Sequence, residues 1–172
     1  ASLPANSPEL ARAAEAGGAH AVKVHLNVEH GASGTRFGAL DEERAALEAI
    51  VSSVEIPVGV MPGSLQPASL EEMLELETIG LDFYDIYVTD MPAEYMLLEK
   101  MDAMAALGSD WNRFPADHCS RLGAEMLEAS VIHHDLYGDP LTMADLLDYS
   151  LLASSFSGAV IVPTQKAVSP RE

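Results

Sequence analysis

Short apolar runs alternate along the chain with amphipathic stretches of about a dozen residues. The apolar runs predict strands at 21–27, 56–61, 82–88, 125–132 and 159–163, and the opening residues 1–6 count as one more. The amphipathic stretches predict helices at 8–16, 41–54, 69–80, 92–107 and 143–154. Strands separated by helices of this length indicate a parallel sheet covered on both faces, so the predicted fold class is α/β.

Capping residues support three of these helices. Ser7 precedes Pro8, a residue that suits the first helical position. Ser69 stands where an N-cap is expected, and Thr142 with Asp145 has the spacing of a capping pair.

Two closures of the sheet compete, namely an open doubly wound sheet and a (β/α)8 TIM barrel. The glycines of the loop 30–38 lack the G-x-G-x-x-G spacing of a dinucleotide site, which weakens the open form. Polar side chains at alternate strand positions favour the barrel, because its strands turn one face to the helices and the other to the lumen. Lys23, His25 and Asn27 share one such face. The prediction is therefore a parallel TIM barrel over residues 1–172.

The stretch around the first long strand resembles phosphosugar-handling barrels. Ala13-Ala14-Glu15-Ala16-Gly17-Gly18-Ala19 leads into Val22-Lys23-Val24, and His25-Leu26-Asn27-Val28 is similar to the His-x-Asp-Val strand of ribulose-phosphate epimerases. Asn27 stands where that family keeps an aspartate that bridges the metal. The resemblance, to the ribulose-phosphate-binding group of sugar-phosphate epimerases and lyases, implies a TIM barrel. The strand count gives about six βα units, so the barrel is expected to be incomplete, clipped at both ends and without its C-terminal units, because a whole barrel needs about 200 residues or more.

The composition of the chain limits the classes of partner that it is expected to bind. The 172 residues carry 27 acidic and 9 basic side chains, a net charge of −18, so nucleic acid and anionic membrane surfaces are poor partners. No signal peptide or membrane span is visible. The single Cys119 forms no internal disulfide, which fits a reducing compartment. A cytoplasmic protein is expected, and the Met-rich helix 92–107 is read as core packing or as the interface of a homo-oligomer.

Four side chains are the catalytic candidates: Lys23, His25, Asp85 and Glu128. A partly desolvated lysine amine serves as a Schiff-base nucleophile or a proton shuttle. Buried carboxylates cost several kcal/mol unless they are paired or protonated, so Asp85 and Glu128 are either acid/base groups or ion-pair partners of the lysine. His25 is a candidate general acid/base, or a ligand for a divalent metal together with the carboxylates. No metal residue and no organic cofactor is otherwise indicated.

Six further residues are candidates for substrate binding. They lie on the same inferred faces or in the loops that follow them: Asn27, Arg36, Tyr87, Ser130, Gln165 and Lys166. Arg36, in the Gly-rich loop before a helix, would clamp an anion at the helix N-terminus. Lys166 follows the sixth strand by count, where class I aldolases that resemble this arrangement carry their imine-forming lysine. His133 and His134 are expected to be surface or lid histidines.

These patterns lead to one favoured function and two alternatives. The favoured one is an enzyme acting on a small anionic or phosphorylated oxo or sugar compound, by aldolase-type lyase or isomerase chemistry with proton abstraction next to a carbonyl. One alternative is a metal-dependent sugar-phosphate epimerase. The other is a non-catalytic barrel that binds a ligand.

Overall fold

A computed structural model describes residues 1–30 and 33–168. The chain divides into two compact units, Ala1–Asp102 and Ala103–Glu172. Each unit has its own parallel strands and helices, which confirms the α/β class. The single domain over 1–172 stays a prediction. None of the helices among the described residues is long and apolar enough to span a membrane.

Unit 1 is built around three parallel strands in the order β1-β4-β5. Its strands are β1 (Val22–His25), β2 (Val28–His30), β3 (Thr35–Phe37), β4 (Val58–Met61) and β5 (Phe83–Tyr87). Its helices are α1 (Pro8–Ala16), α2 (Leu40–Val51) and α3 (Leu70–Ile79), followed by a 3-10 helix at Ala93–Leu97. The predicted helices 8–16, 41–54 and 69–80 are thus confirmed, with ends that shift by a few residues.

The opening residues pair with the free edge of β1. Ser2 and Lys23 form a parallel bridge, and the Leu3 amide donates to the Lys23 carbonyl at 2.9 Å. The Asn6 side chain continues this pairing, because its Nδ2 donates to the His25 carbonyl at 2.8 Å and its Oδ1 accepts from the His25 amide at 3.1 Å. The opening residues, counted as a strand from the sequence, thus pair with β1 through an isolated bridge and do not form a strand of their own.

Unit 2 also has three parallel strands, in the order β6-β7-β8. They are β6 (Asp102–Leu107), which begins at the last residue of unit 1, β7 (Met126–Ala129) and β8 (Ala159–Ile161). The helices are α4 (Ala116–Arg121) and α5 (Met143–Ser155), with 3-10 turns at Trp111–Arg113 and His134–Leu136. The predicted strands 125–132 and 159–163 and the helix 143–154 are confirmed.

The predicted Met-rich helix 92–107 is wrong. The segment contains the five-residue 3-10 helix and then strand β6, all of whose residues except Asp102 are buried. Met101 and Met104 lie in the core, which confirms core packing for them. The predicted loop 30–38 is also corrected, because β2 and β3 form an antiparallel hairpin across it. Gly31 and Ala32 lie outside the described residues.

The capping predictions are confirmed. The Ser7 hydroxyl accepts from the Leu10 amide at 3.3 Å. Ser69 and Thr142 each form a capping box, in which the side chain three residues later reaches back to the cap. These reciprocal bonds satisfy amides at the helix starts that have no partner inside the helix.

Gly59 leaves room for a neighbouring aromatic ring on the sheet face that carries Lys23. Gly59 of β4 lies between Lys23 and Phe83 in the register of the sheet. A Cβ added at Gly59 would meet Phe83 ring atoms at 2.1–2.4 Å. The missing side chain therefore lets the Phe83 ring lie over β4.

Gly59→Ala is expected to lower the free energy of unfolding by about 1–3 kcal/mol, because the methyl group overlaps the Phe83 ring. Urea denaturation measures this change. In a Phe83→Leu background the same substitution should cost at least about 0.5 kcal/mol less, since the two side chains are in contact. An equal cost in both backgrounds would show that the ring is not what Gly59 accommodates.

Candidate functional site

A buried ion pair marks the polar face of unit 1. The Lys23 ammonium on β1 contacts the Asp85 carboxylate on β5 through Nζ and Oδ2. The Asp85 side chain is only 2% exposed and that of Lys23 17% exposed. Strand β4 lies between β1 and β5, and Gly59 is its residue in register with Lys23. The structure thus brings together two of the four predicted catalytic residues.

His25 is buried beside this pair, on the same strand as Lys23. Its ring centroid lies 4.6 Å from that of His30 and 4.7 Å from that of Phe37, both on the β2–β3 hairpin. Its Nε2 is 3.1 Å from the Ser2 hydroxyl. Its Nδ1 is buried and has no hydrogen-bond partner among the described residues. A buried polar atom without a partner costs about 1–3 kcal/mol, which a polar group of a bound molecule would offset.

Burial lowers the pKa of His25 to about 3, and the nearby His30 and Lys23 add to the effect. The imidazole is therefore neutral at physiological pH, with one N–H donor and one lone pair. Burial and Lys23 also lower the pKa of His30. This environment favours His25 as a neutral hydrogen-bonding group over the predicted general acid/base.

Asn27 has a left-handed backbone, with a φ of 52°. Non-glycine residues adopt this conformation infrequently, and asparagine tolerates it better than most. The turn brings the Asn27 amide to the Gly38 carbonyl at 2.9 Å, and its side chain donates to the Pro62 carbonyl at 3.3 Å. Asn27 therefore lies just beyond the carboxyl end of β1. Tyr87 is the last residue at the carboxyl end of β5 and is half-buried.

Arg36 is an exposed residue whose guanidinium faces an acidic side chain of α2. It lies on β3 with 78% of its side chain exposed and approaches Glu42 at 3.9 Å. The first turn of α2 already carries three acidic residues. One of them, Glu43, accepts from the Gly38 amide at 3.0 Å. Carboxylates in this position already interact favourably with the helix N-terminus, so the substrate role of Arg36 stays a prediction.

In unit 2, Gln165 is the centre of a buried hydrogen-bond network. Its Nε2 donates to the Ser130 hydroxyl at 2.8 Å and to the Tyr137 hydroxyl at 2.6 Å. Its Oε1 accepts from the Ile132 amide at 3.3 Å, and its carbonyl accepts from the Gly138 amide at 2.8 Å. The structure thus brings together Ser130 and Gln165, two of the residues predicted to bind substrate. The side-chain N–H groups of Gln165 donate hydrogen bonds within unit 2, so this residue has a structural role.

Lys166 is buried and faces Asp145, with Nζ 3.6 Å from Oδ2. The same oxygen accepts from the Thr142 amide and hydroxyl, each at 2.7 Å. Burial alone would raise the pKa of Asp145, but the Thr142 hydrogen bonds and the Lys166 charge lower it. Glu128 lies on β7, half-buried. The catalytic role of Glu128 and the binding role of Lys166 stay predictions.

Several partners of the site residues were not predicted from the sequence. Their contacts join segments far apart in the chain: Ser2, His30 and Phe37 around His25, and Tyr137 and Asp145 in unit 2. The one sequence signal for the hairpin is the alternation of side chains along Val28–His30 and along Thr35–Phe37, on the two sides of the glycine loop. Among the described residues, one group of His and Asp side chains lies close enough to hold a metal ion, and it consists of His133, His134 and Asp135. His25 and Asp85 do not belong to it.

No protein-family model and no curated protein matches the chain. Among solved structures, the chain is similar to the crystal structure of phosphoribosyl anthranilate isomerase from Thermus thermophilus, with a TM-score of 0.63 and 18% sequence identity. The match covers 99% of this chain and 78% of that one. At this identity the likeness establishes the fold, and it confirms the predicted TIM barrel over the open doubly wound sheet. It does not extend to the epimerase and lyase group.

The low pKa of His25 predicts a specific loss of stability in acid. The unfolded chain takes up a proton near pH 6.5, whereas the folded chain does so only near pH 3. The free energy of unfolding should therefore fall as the pH drops below 6.5, by up to about 1.4 kcal/mol per pH unit from this group. Urea denaturation between pH 6.5 and 5 should show a smaller decrease for His25→Phe than for the wild type. His20→Phe, at an exposed position, should follow the wild type; equal slopes for all three proteins would contradict the burial of a neutral imidazole.

Proposed function

We propose that the chain is an isomerase or aldolase-type lyase that removes a proton next to the carbonyl of a small anionic oxo or sugar compound. The observation that carries the proposal is the buried contact between Lys23 and Asp85 in unit 1. In TIM barrels, catalytic residues come from the carboxyl ends of the strands. Asp85 is the middle residue of β5, and His25 is the last residue of β1.

A structural role alone explains the ion pair less well. Taking two charges out of water costs several kcal/mol per ion, so a buried pair is often no more stable than apolar residues of similar size. On the same face, the adjacent His25 has a buried polar atom with no hydrogen-bond partner among the described residues. Unsatisfied polar groups and buried charges are features of sites that bind a polar ligand.

The pair supplies both functions that proton abstraction needs. The Asp85 carboxylate accepts the proton from the carbon next to the carbonyl. The Lys23 ammonium donates a hydrogen bond to the carbonyl oxygen, which becomes negatively charged as the enolate forms. Return of the proton to the former carbonyl carbon, with transfer of the hydroxyl proton between the two oxygens, gives an isomer. In the lyase direction Asp85 accepts the proton of a hydroxyl on the β-carbon, the bond between the α- and β-carbons breaks, and the enolate that remains takes up a proton at the α-carbon. Neutral His25 hydrogen-bonds a substrate hydroxyl or oxo group.

An imine mechanism uses the same two residues. Asp85 takes the proton from the Lys23 ammonium, and the free amine attacks the substrate carbonyl with loss of water. The contact between Nζ and the carboxylate supports this route, because the base is already at the amine. Reduction with borohydride in the presence of substrate distinguishes the two routes, since only an imine leaves a covalent adduct on Lys23.

The substrate class follows from charge and from the similar structure. The solved isomerase acts, by its name, on a phosphoribosyl compound. Lys23 is the cation of the unit 1 site, in a chain with a net charge of −18. Phosphorylated ketoses and aldoses and 2-oxo acids are therefore the compounds to test first. The proposal does not depend on Glu128, Ser130, Gln165 or Lys166.

Proton exchange with solvent tests the proposal without knowledge of the product. A panel of these compounds is incubated with the protein in D2O, and loss of the NMR signal of the proton next to the carbonyl is followed. We expect exchange with at least one compound. Lys23→Met and Asp85→Asn should each slow it by about 10²–10⁴-fold, because each removes one half of the proton-transfer pair.

Two matched substitutions serve as controls. Lys100→Met removes an exposed lysine, and Asp41→Asn removes an aspartate whose side chain is 96% exposed. Both variants should exchange at the wild-type rate. Exchange that is absent across the panel, or that survives in Lys23→Met and Asp85→Asn, would overturn the proposed function.

A further inference from the structure

Three consecutive side chains of unit 2 converge just beyond the carboxyl end of β7. The Asp135 carboxylate lies between two imidazoles, with Oδ1 2.9 Å from His134 Nε2 and Oδ2 3.4 Å from His133 Nδ1. The two rings are 4.3 Å apart between centroids. One ligand atom from each residue lies within 4.8 Å of the other two. All three residues are exposed to solvent, as expected for the two histidines from the sequence.

These separations match those of ligands around a tetrahedral metal ion. Two ligand atoms that each bind zinc at about 2.0–2.1 Å are about 3.3 Å apart at the tetrahedral angle. The contacts of the carboxylate oxygens with the two imidazole nitrogens fall on either side of this value. The backbone amide of Asp135 competes for His133 Nδ1 only through a long hydrogen bond of 3.4 Å. A metal ion is therefore accommodated with small movements of the three side chains.

The backbone that carries the three ligands is fixed at both ends by Gln165. Its side chain holds the Ile132 amide before the cluster and the Tyr137 hydroxyl after it. Its carbonyl accepts from the Gly138 amide, and a 3-10 turn at His134–Leu136 shapes the segment between. Gln165 is buried, and its bond to the Ile132 amide is shielded from water. A ligand set on a fixed backbone loses less conformational entropy when it binds an ion.

We propose that His133, His134 and Asp135 form a binding site for a divalent transition-metal ion of the zinc class. Two imidazoles and one carboxylate suit zinc, cobalt and nickel better than calcium or magnesium, which prefer oxygen ligands. Three protein ligands leave at least one coordination position for water or for an oxygen of a small molecule. The net charge of −18 raises the local concentration of cations at the surface.

This site shares no residue with the proposed proton-transfer residues. The three ligands lie in unit 2, and Lys23, His25 and Asp85 lie in unit 1. The metal site therefore stands or fails by its own experiment, whatever the proton-exchange assay shows.

Isothermal titration of the tag-free, chelator-treated chain with Zn²⁺ tests the proposal. We expect one equivalent to bind, and His133→Ala and His134→Ala each to weaken binding at least about tenfold. His118→Ala is the matched control, because His118 is exposed and lies 3.9 Å from Asp117 in α4. This variant should bind Zn²⁺ as the wild type does. Circular dichroism checks folding, and His134→Asn replaces any alanine variant that does not melt cooperatively.

A titration with Ca²⁺ separates a built site from attraction to the acidic surface. The proposal expects Ca²⁺ to bind at least about tenfold more weakly than Zn²⁺, since imidazole is a poor ligand for calcium. Equal binding of both ions would overturn it. Zn²⁺ binding that both histidine variants retain, or that His118→Ala weakens equally, would overturn it as well.

Discussion

The polar face of unit 1 depends on one buried contact, between the Lys23 ammonium and the Asp85 carboxylate. The two residues come from strands that are not neighbours, because β4 lies between them. Gly59, the residue of β4 in register with Lys23, leaves room for the Phe83 ring over this strand. The order of the strands and a pair of opposite charges therefore act together, and His25 lies on the same strand as the lysine.

The helices and most strands follow from local signals in the sequence. Caps at Ser7, Ser69 and Thr142 act through bonds to residues three positions away, so they are visible in the sequence itself. The segment Asp102–Leu107 is rich in alanine, methionine and leucine, which favour a helix by intrinsic propensity. Burial in unit 2 overrides this preference, and no local pattern announces it.

The candidate site was predictable in part, for a similar reason. Alternation along β1 and β5 places Lys23 and Asp85 on a polar face, and the cost of burying either charge alone predicts the pair. The neutral state of His25 was not predictable, because it depends on contacts with Ser2, His30 and Phe37. Nor was the network of Gln165, whose partners lie 28–35 positions away in the chain. Hydrogen bonds of this range leave no periodic trace in a sequence.

Asn6 has a consequence that extends beyond the site. Its amide completes the pairing of β1 at His25, and the same side chain donates to Glu43 on α2 at 2.9 Å. A strand edge with open amides and carbonyls is a template for intermolecular pairing and aggregation. The Asn6 side chain thus prevents the peptide groups of the buried His25 from pairing with strands of other molecules. It also links this part of β1 to α2. Protection against misassembly and placement of a site residue are, at this position, the same set of hydrogen bonds.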